Sequence, residues 1–197
     1  MSGAVFPFSL PRSQLILGGQ KSGKSRRAEL LARGWMEGEP GREAMLIATG
    51  QPWDDEMRER IARHRRDRAE RVPGMTTLEE PLDLADCIAR HSTPRRLLVV
   101  DCLTLWLTNW MMPAEPSPEL ASGWSGQCDD FAVALGEAPG PVILVGNEIG
   151  LGVIPLGSQV RAFVDALGGL NQRMARCCDS VTLMCAGLPL ALKGPGA

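Results

Sequence analysis

The stretch Leu15 to Ser25, LILGGQKSGKS, runs an apolar segment into two glycines and then into Gly-Lys-Ser. Gly18, Gly23, Lys24 and Ser25 satisfy the spacing G-x-x-x-x-G-K-[ST], with Gly19, Gln20, Lys21 and Ser22 filling the loop. Glycines allow such a loop to curl until its N–H groups point at phosphate oxygens, and the helix that follows adds a partial positive charge. In that chemistry Lys24 bridges the β- and γ-phosphates and Ser25 is a magnesium ligand. Glycine-rich turns also join strands to helices without any ligand, but an apolar strand before and a helical pattern after are the context the motif requires.

A second element agrees. Leu97-Leu98-Val99-Val100-Asp101 is an apolar strand ending in a carboxylate, the pattern that holds magnesium in phosphate-loop enzymes and makes Asp101 a second metal-site candidate beside Ser25. The stretch Asp54 to Arg71, DDEMRERIARHRRDRAER, opens with three acids and closes with an excess of arginines, which suits a helix dipole at both ends. Most of its charges read as a solvated helix face. His64 differs: Met57, Ile61 and His64 fall at i, i+4 and i+7, on the helix's one apolar stripe. A packing histidine has that placement. So does a neutral imidazole that binds or attacks a phosphate held by neighbouring guanidinium groups, and spacing leaves both open.

The elements that must position these groups read as α/β. Strands are expected at Gln14 to Leu17, Ala44 to Ala48, Leu97 to Val100, Val142 to Val145 and Ser180 to Cys185, alternating with helices at Lys24 to Arg33, Asp54 to Arg71, Leu82 to His91, Leu103 to Met112, Gln127 to Leu135 and Gln159 to Arg176. That alternation predicts a mostly parallel sheet with helices on both faces, a P-loop NTPase-like single domain. The expected division is a flexible extension over residues 1–13, a catalytic domain over 14–193 and a tail over 194–197, with Pro113 to Gly126 as a mobile surface loop. The segment Asn147 to Pro155, NEIGLGVIP, is glycine-rich after a buried strand, where α/β sheets bind ligands.

Length and composition narrow the classes. A chain of 197 residues, 44% hydrophobic, 22% charged and with a formal net charge of -2, has the balance of one globular domain and no electrostatic case for nucleic acid. No apolar run approaches the roughly 20 residues that cross a bilayer. Six cysteines without a C-x-x-C pair, mostly in apolar sequence, read as thiols in a reducing cytoplasm, and two histidines are too few for a histidine-rich metal centre.

With these motifs in order, the chain resembles the bifunctional adenosylcobinamide kinase/adenosylcobinamide-phosphate guanylyltransferase family of cobalamin biosynthesis. The resemblance runs from Leu15 to Lys193 and rests on LGGQKSGKSRRAE, IATGQPWDDEMRERIARHRRDR, LEEPLDL, VVDCLTLWLTN, GNEIGLGVIP and GGLNQRMA. It implies two reactions at one site. ATP or GTP phosphorylates the hydroxyl of the aminopropanol arm of adenosylcobinamide; then a histidine takes GMP from GTP and passes it to the new phosphate, giving adenosylcobinamide-GDP. The family's R-I-x-x-H stretch falls on Arg60 to His64, so the resemblance makes His64 the nucleophile of the second reaction, while Lys24, with Ser25-bound magnesium and Asp101, stabilises the transferring charge in the first. It further implies nucleotide contacts at Ala48, Thr49, Gly50, Arg65, Arg66, Asp67, Arg68, Glu79 and Asp101, with Glu79 suited to read guanine N1 and N2. Magnesium and a homotrimer are also implied. Gln20-Lys21 stands where Ala-Arg is common, Met75 where tryptophan is common, and Asp101 where some members have Glu. A plain P-loop kinase without histidine chemistry, or a binding module without turnover, are the competing readings.

Overall fold

The structure, a computed structural model, describes residues 10–115 and 118–194. The element order is β1 (Ser13–Gly18), α1 (Lys24–Gly38), β2 (Glu43–Ala48), α2 (Asp55–Arg71), β3 (Thr76–Glu79), α3 (Leu84–His91) and β4 (Arg96–Asp101), followed by α4 (Leu103–Met111), α5 (Pro118–Glu137), β5 (Val142–Val145), α6 (Ser158–Cys177), β6 (Ser180–Cys185) and β7 (Leu188–Lys193). One seven-stranded sheet forms, in the order β3-β2-β4-β5-β1-β6-β7. Every neighbouring pair is parallel except β6 with β7. The expected α/β architecture with a mostly parallel sheet is the one that forms.

Strand alternation builds both cores. Leu15, Leu17, Leu98, Val100, Val142 and Leu144 join the cluster under α3 to α6, whereas Ile16, Leu97, Val99, Ile143 and Val145 join the cluster under α1. Successive side chains on a strand point to opposite faces, so strands covered on both sides must be apolar at every position. These strands were therefore visible as uninterrupted apolar runs.

Two strands were not expected. The segment β3, Thr-Thr-Leu-Glu, is a polar edge strand whose residues are mostly exposed. The strand β7 pairs with β6 through a tight turn at Ala186 and Gly187, both with positive φ (51° and 82°); its Pro189 is compatible with an edge. The expected mobile loop over Pro113 to Gly126 is corrected: α5 begins at Pro118. Leu120, Trp124, Cys128, Phe131 and Leu135 all pack into the larger core, with Trp106 and Phe131 ring centroids 5.7 Å apart. Helical periodicity there outweighs the Pro, Ser and Gly content.

Of the expected N-terminal extension, residues 1–9 lie outside the described residues, as do 195–197 of the expected tail. Arg12 is anchored: its Nη2 donates to the Ala138 carbonyl at 3.0 Å, and its own carbonyl accepts from Val142 N at 2.9 Å. Ser13 already belongs to β1.

Candidate active site

The phosphate loop leaves the C-terminal end of β1 and is shaped by its glycines. Gly18 has φ 151°, and a Cβ there would lie 2.4 Å from the Met184 carbonyl oxygen and 2.6 Å from Ser22 Oγ, so no larger residue fits. Gly23 caps α1 at φ 99°, a left-handed conformation that glycine adopts without strain. Within the loop Ser22 N donates to the Gly19 carbonyl at 3.2 Å, and Gly187 N donates to the Ser22 carbonyl at 3.1 Å, fastening the loop to the β6–β7 turn.

The loop forms one wall of a cavity of about 560 Å³ at the C-terminal edge of the sheet. Gln20, Lys21, Ser22, Gly23, Lys24 and Ser25 line it from the loop, Ala48 and Gly50 from the end of β2, Glu79 from the end of β3 and Asp101 from the end of β4. The opposite wall is α2, which presents Met57, Arg60, Ile61, His64, Arg65 and Arg68. The stripe found by periodicity thus faces this cavity rather than the apolar core, and His64 shares one chamber with Lys24 and Asp101. Seven basic side chains line the cavity against four acidic ones, in a chain whose net charge is -2. Such a local excess of positive charge suits a polyphosphate.

Sequence explains how α2 is held there. Asp54 caps the helix by accepting from Met57 N at 2.7 Å, and Asp55 and Glu56 occupy its positive first turn. At the far end Arg71 pairs with Glu29, a buried carboxylate on α1. Arg68 is also buried; its Nη2 donates to Thr77 Oγ1 of β3 at 3.1 Å. Arg65 pairs with Glu79, so two expected nucleotide contacts come together at the rim.

Burial governs the titration of the two central groups. Desolvation lowers the Lys24 ammonium below its ordinary value, opposed by Cys102 and Asp101 and reinforced by Arg60; Lys24 Nζ meanwhile donates to the Gly19 carbonyl at 2.6 Å. His64 is likewise lowered, first by desolvation, with Arg60 and Arg63 acting the same way and Asp101 and Asp67 opposing. A lowered imidazole is neutral at neutral pH and keeps the lone pair that a nucleophile requires.

Some expected contacts stand elsewhere. Thr49 is fully buried and exchanges hydrogen bonds with the Cys102 backbone at 2.8 Å in both directions, while Asn109 Nδ2 donates to its carbonyl at 2.8 Å. It ties the ends of β2 and β4 together outside the cavity lining. Arg66 and Asp67 are exposed on α2 and do not border the cavity. Gly18 and Gly19 shape the loop without lining it. Conversely, Asn147 at the end of β5 lines the cavity without having been singled out as a contact. Its N–H donates to Thr104 Oγ1 at 2.9 Å and its carbonyl accepts from Asn171 Nδ2 at 3.0 Å. Its signals in the sequence were its position after a buried strand and its place in the GNEIGLGVIP stretch.

Comparison with known proteins identifies the family to which the chain belongs. The profile of the family described as cobinamide kinase / cobinamide phosphate guanyltransferase matches residues 14–192. The chain is 48% identical over 180 residues to the bifunctional adenosylcobalamin biosynthesis protein CobP of Pseudomonas aeruginosa, covering 91% of this chain and 96% of that protein. It is 30% identical to the CobU protein of Escherichia coli and 32% identical to that of Salmonella typhimurium, each over 91% of this chain and 98% of the relative. In fold alone it also resembles the flagellar accessory protein FlaH of Methanocaldococcus jannaschii, with TM-score 0.54 at 12% identity over 96% of this chain and 83% of that one. By the span of the profile and by these identities, the chain belongs to the cobinamide kinase / cobinamide phosphate guanyltransferase family.

Proposed function

We propose that this protein phosphorylates adenosylcobinamide with ATP or GTP and then transfers GMP from GTP to the new phosphate through a GMP-histidine at His64. The observation that carries the reading is the placement of His64, Lys24 and Asp101 around one cavity beside the phosphate loop.

In the first reaction the acceptor hydroxyl attacks the γ-phosphorus and gives up its proton to solvent, the bond to the β-bridging oxygen breaks, and the nucleoside diphosphate leaves. Lys24 and the backbone of Gly19 to Gly23 stabilise charge on the transferring group. In the second, a ring nitrogen of His64 attacks the α-phosphorus of GTP, a phosphorus–nitrogen bond forms, and pyrophosphate departs. The corrinoid phosphate then attacks the same phosphorus and expels the neutral imidazole, giving adenosylcobinamide-GDP. Arg60, Arg63 and Arg65 stand where a migrating phosphate needs counter-charge.

Ser25 and Asp101 both border the cavity, and a hydroxyl with a carboxylate is a donor pair suited to magnesium completed by phosphate oxygens and water. Bound there, magnesium would supply charge neutralisation across the β- and γ-phosphates. Glu79 is the candidate reader of the guanine edge. The reading includes a cytoplasmic setting, supported by the six free cysteines, and a homo-oligomer, supported by the exposed Leu188 and Leu190 on the β7 edge. Among the described residues no helix is long and apolar enough to cross a membrane.

The test uses α-labelled GTP and magnesium with the purified protein, followed by denaturation and peptide mapping. One GMP on His64, acid-labile and alkali-stable, is the expected result. His64→Ala should lose the label and GMP transfer while retaining phosphorylation of cobinamide. Equal loss of both activities, or of neither, counts against the assigned role and leaves a plain kinase.

A further inference from the structure

We propose that the groove under the 147–157 strap is the acceptor site, taking the corrin ring of the corrinoid whose aminopropanol hydroxyl reaches the phosphate loop. The inference rests on the function proposed above and names where that substrate lies.

The groove, of about 770 Å³, opens beside the nucleotide cavity. Asn147 lines the nucleotide cavity and the next residue, Glu148, lines the groove, so one peptide unit separates the two. Glu148 N also donates to the Gly18 carbonyl at 3.1 Å, fixing the strap to the phosphate loop. A ring seated in the groove can therefore send a flexible arm toward the group Lys24 holds.

Its shape is maintained against helix propensity. Gly168 and Gly169 sit inside α6 and line the groove, and a Cβ at either would meet nothing within 4 Å. Two adjacent glycines inside a helix weaken it, and no close packing contact requires them. What they leave is open space along the groove floor.

Its chemistry fits a large, largely uncharged ring edged by amides. Leu17, Val164, Val181 and Leu192 supply aliphatic wall. The strap turns Leu151, Val153 and Ile154 outward at 81%, 96% and 78% exposure, an apolar surface to lie on a ring face. Arg161 donates to the Pro155 and Leu156 carbonyls, tying the strap to α6. Lys193 Nζ donates to the carbonyls of Ala175, Arg176 and Cys178. Both cations of the groove are thus engaged with backbone, which disfavours a phosphate there. Asn171 is 4% exposed and its Oδ1 has no hydrogen-bond partner among the described residues. A carboxamide donor from the ligand matches that buried acceptor.

The experiment measures cobinamide binding to the full-length protein by equilibrium dialysis, read from the corrinoid's visible absorption, for the wild type, Gly168→Leu and Val153→Asp. GMP labelling from GTP and gel-filtration elution are followed in parallel. The first variant fills the groove with a good helix former; the second alters an exposed strap residue and spares the core. Expected are a tenfold or greater rise in Kd for Gly168→Leu and a severalfold rise for Val153→Asp, with GMP labelling within twofold of wild type and unchanged elution. Unchanged Kd in both variants, or no cobinamide binding to the wild type, overturns the acceptor site. An elution shift in either variant also overturns it, since the groove is then an interface between copies of this chain. Absence of GMP label from the wild type, by contrast, defeats the proposed histidine chemistry while cobinamide binding lost in Gly168→Leu still places the corrinoid.

Discussion

The loops that leave β1 and β5 rise from neighbouring parallel strands and are built by opposite means. The phosphate loop closes on itself: Lys24 Nζ and Ser22 N both donate to the Gly19 carbonyl, and Gly18 admits no side chain. The strap after β5 exposes its aliphatics, with Leu156 98% and Val153 96% exposed, and is held by Arg161 and by the Glu148 carboxylate, which accepts from Gly150 N at 2.9 Å. A loop that grips phosphate does so with its backbone, so its geometry is strict and its sequence is constrained. A loop that meets a large apolar ligand does so with side chains, so its backbone tolerates change.

The largest effect separating them is expected from Lys24→Ala. On the proposed function Lys24 meets the phosphate charge of the nucleotide used in both reactions, so its removal should reduce both about 10²–10³-fold, the loss typical of one deleted charge-stabilising donor. Arg161→Ala should instead leave GMP labelling within twofold and raise KM for cobinamide, because only the strap is loosened. Steady-state kinetics with each substrate varied separates the two. A comparable fall in GMP labelling for Arg161→Ala would break the contrast.

That contrast also describes what the sequence made legible. The phosphate loop, the Asp101 strand and the buried strands were readable because each imposes residue types at fixed spacing: glycines where a Cβ collides, unbroken apolar runs where a strand is covered on both faces. His64 was readable as an anomaly on α2, although periodicity alone left packing and phosphate chemistry open, and only the fold brings it to the chamber of Lys24. Thr49 was expected at the nucleotide through the family resemblance alone, and its hydroxyl exchanges hydrogen bonds with the Cys102 backbone. The helix start at Pro118 was hidden by Pro, Ser and Gly, which report local preference and not the distant partners, Trp106 and Trp110, against which Phe131 and Gly123 pack. Asn147 could not be singled out because its placement depends on Thr104 and Asn171, 43 and 24 residues away.

Two glycine substitutions sharpen the comparison at intermediate size. Gly18→Ala forces a methyl within 2.4 Å of the Met184 carbonyl at φ 151°, so the loop must shift; nucleotide affinity should fall at least about tenfold, the equivalent of about 1.4 kcal/mol. In the strap, a Cβ on Gly152 meets only the Ile149 carbonyl, at 3.8 Å, with no positive φ. Gly152→Ala should change thermal stability by no more than about 0.5 kcal/mol, the usual range for surface substitutions, and leave GTP affinity as it is. Titration with a fluorescent GTP analogue and a melting curve on each variant distinguish these outcomes.

The smallest effect probes the electrostatics of the polar side alone. Since desolvation, Arg60 and Arg63 lower the His64 pKa from 6.5, the imidazole is protonated only below that value, and GMP labelling should fall with acidification through an inflection under pH 6.5. Arg60→Gln removes one of the lowering charges, so the inflection should move upward while the alkaline plateau persists. Asp101→Asn removes a raising charge and should move it the other way. Single-turnover labelling at saturating GTP from pH 5 to 8 reads the shift without contribution from nucleotide affinity. An inflection that stays fixed in both variants would mean that the titrating group is not the imidazole facing Asp101. A shift on altering Arg161, which stands on the strap side, would mean that the two loops are electrically coupled rather than separate.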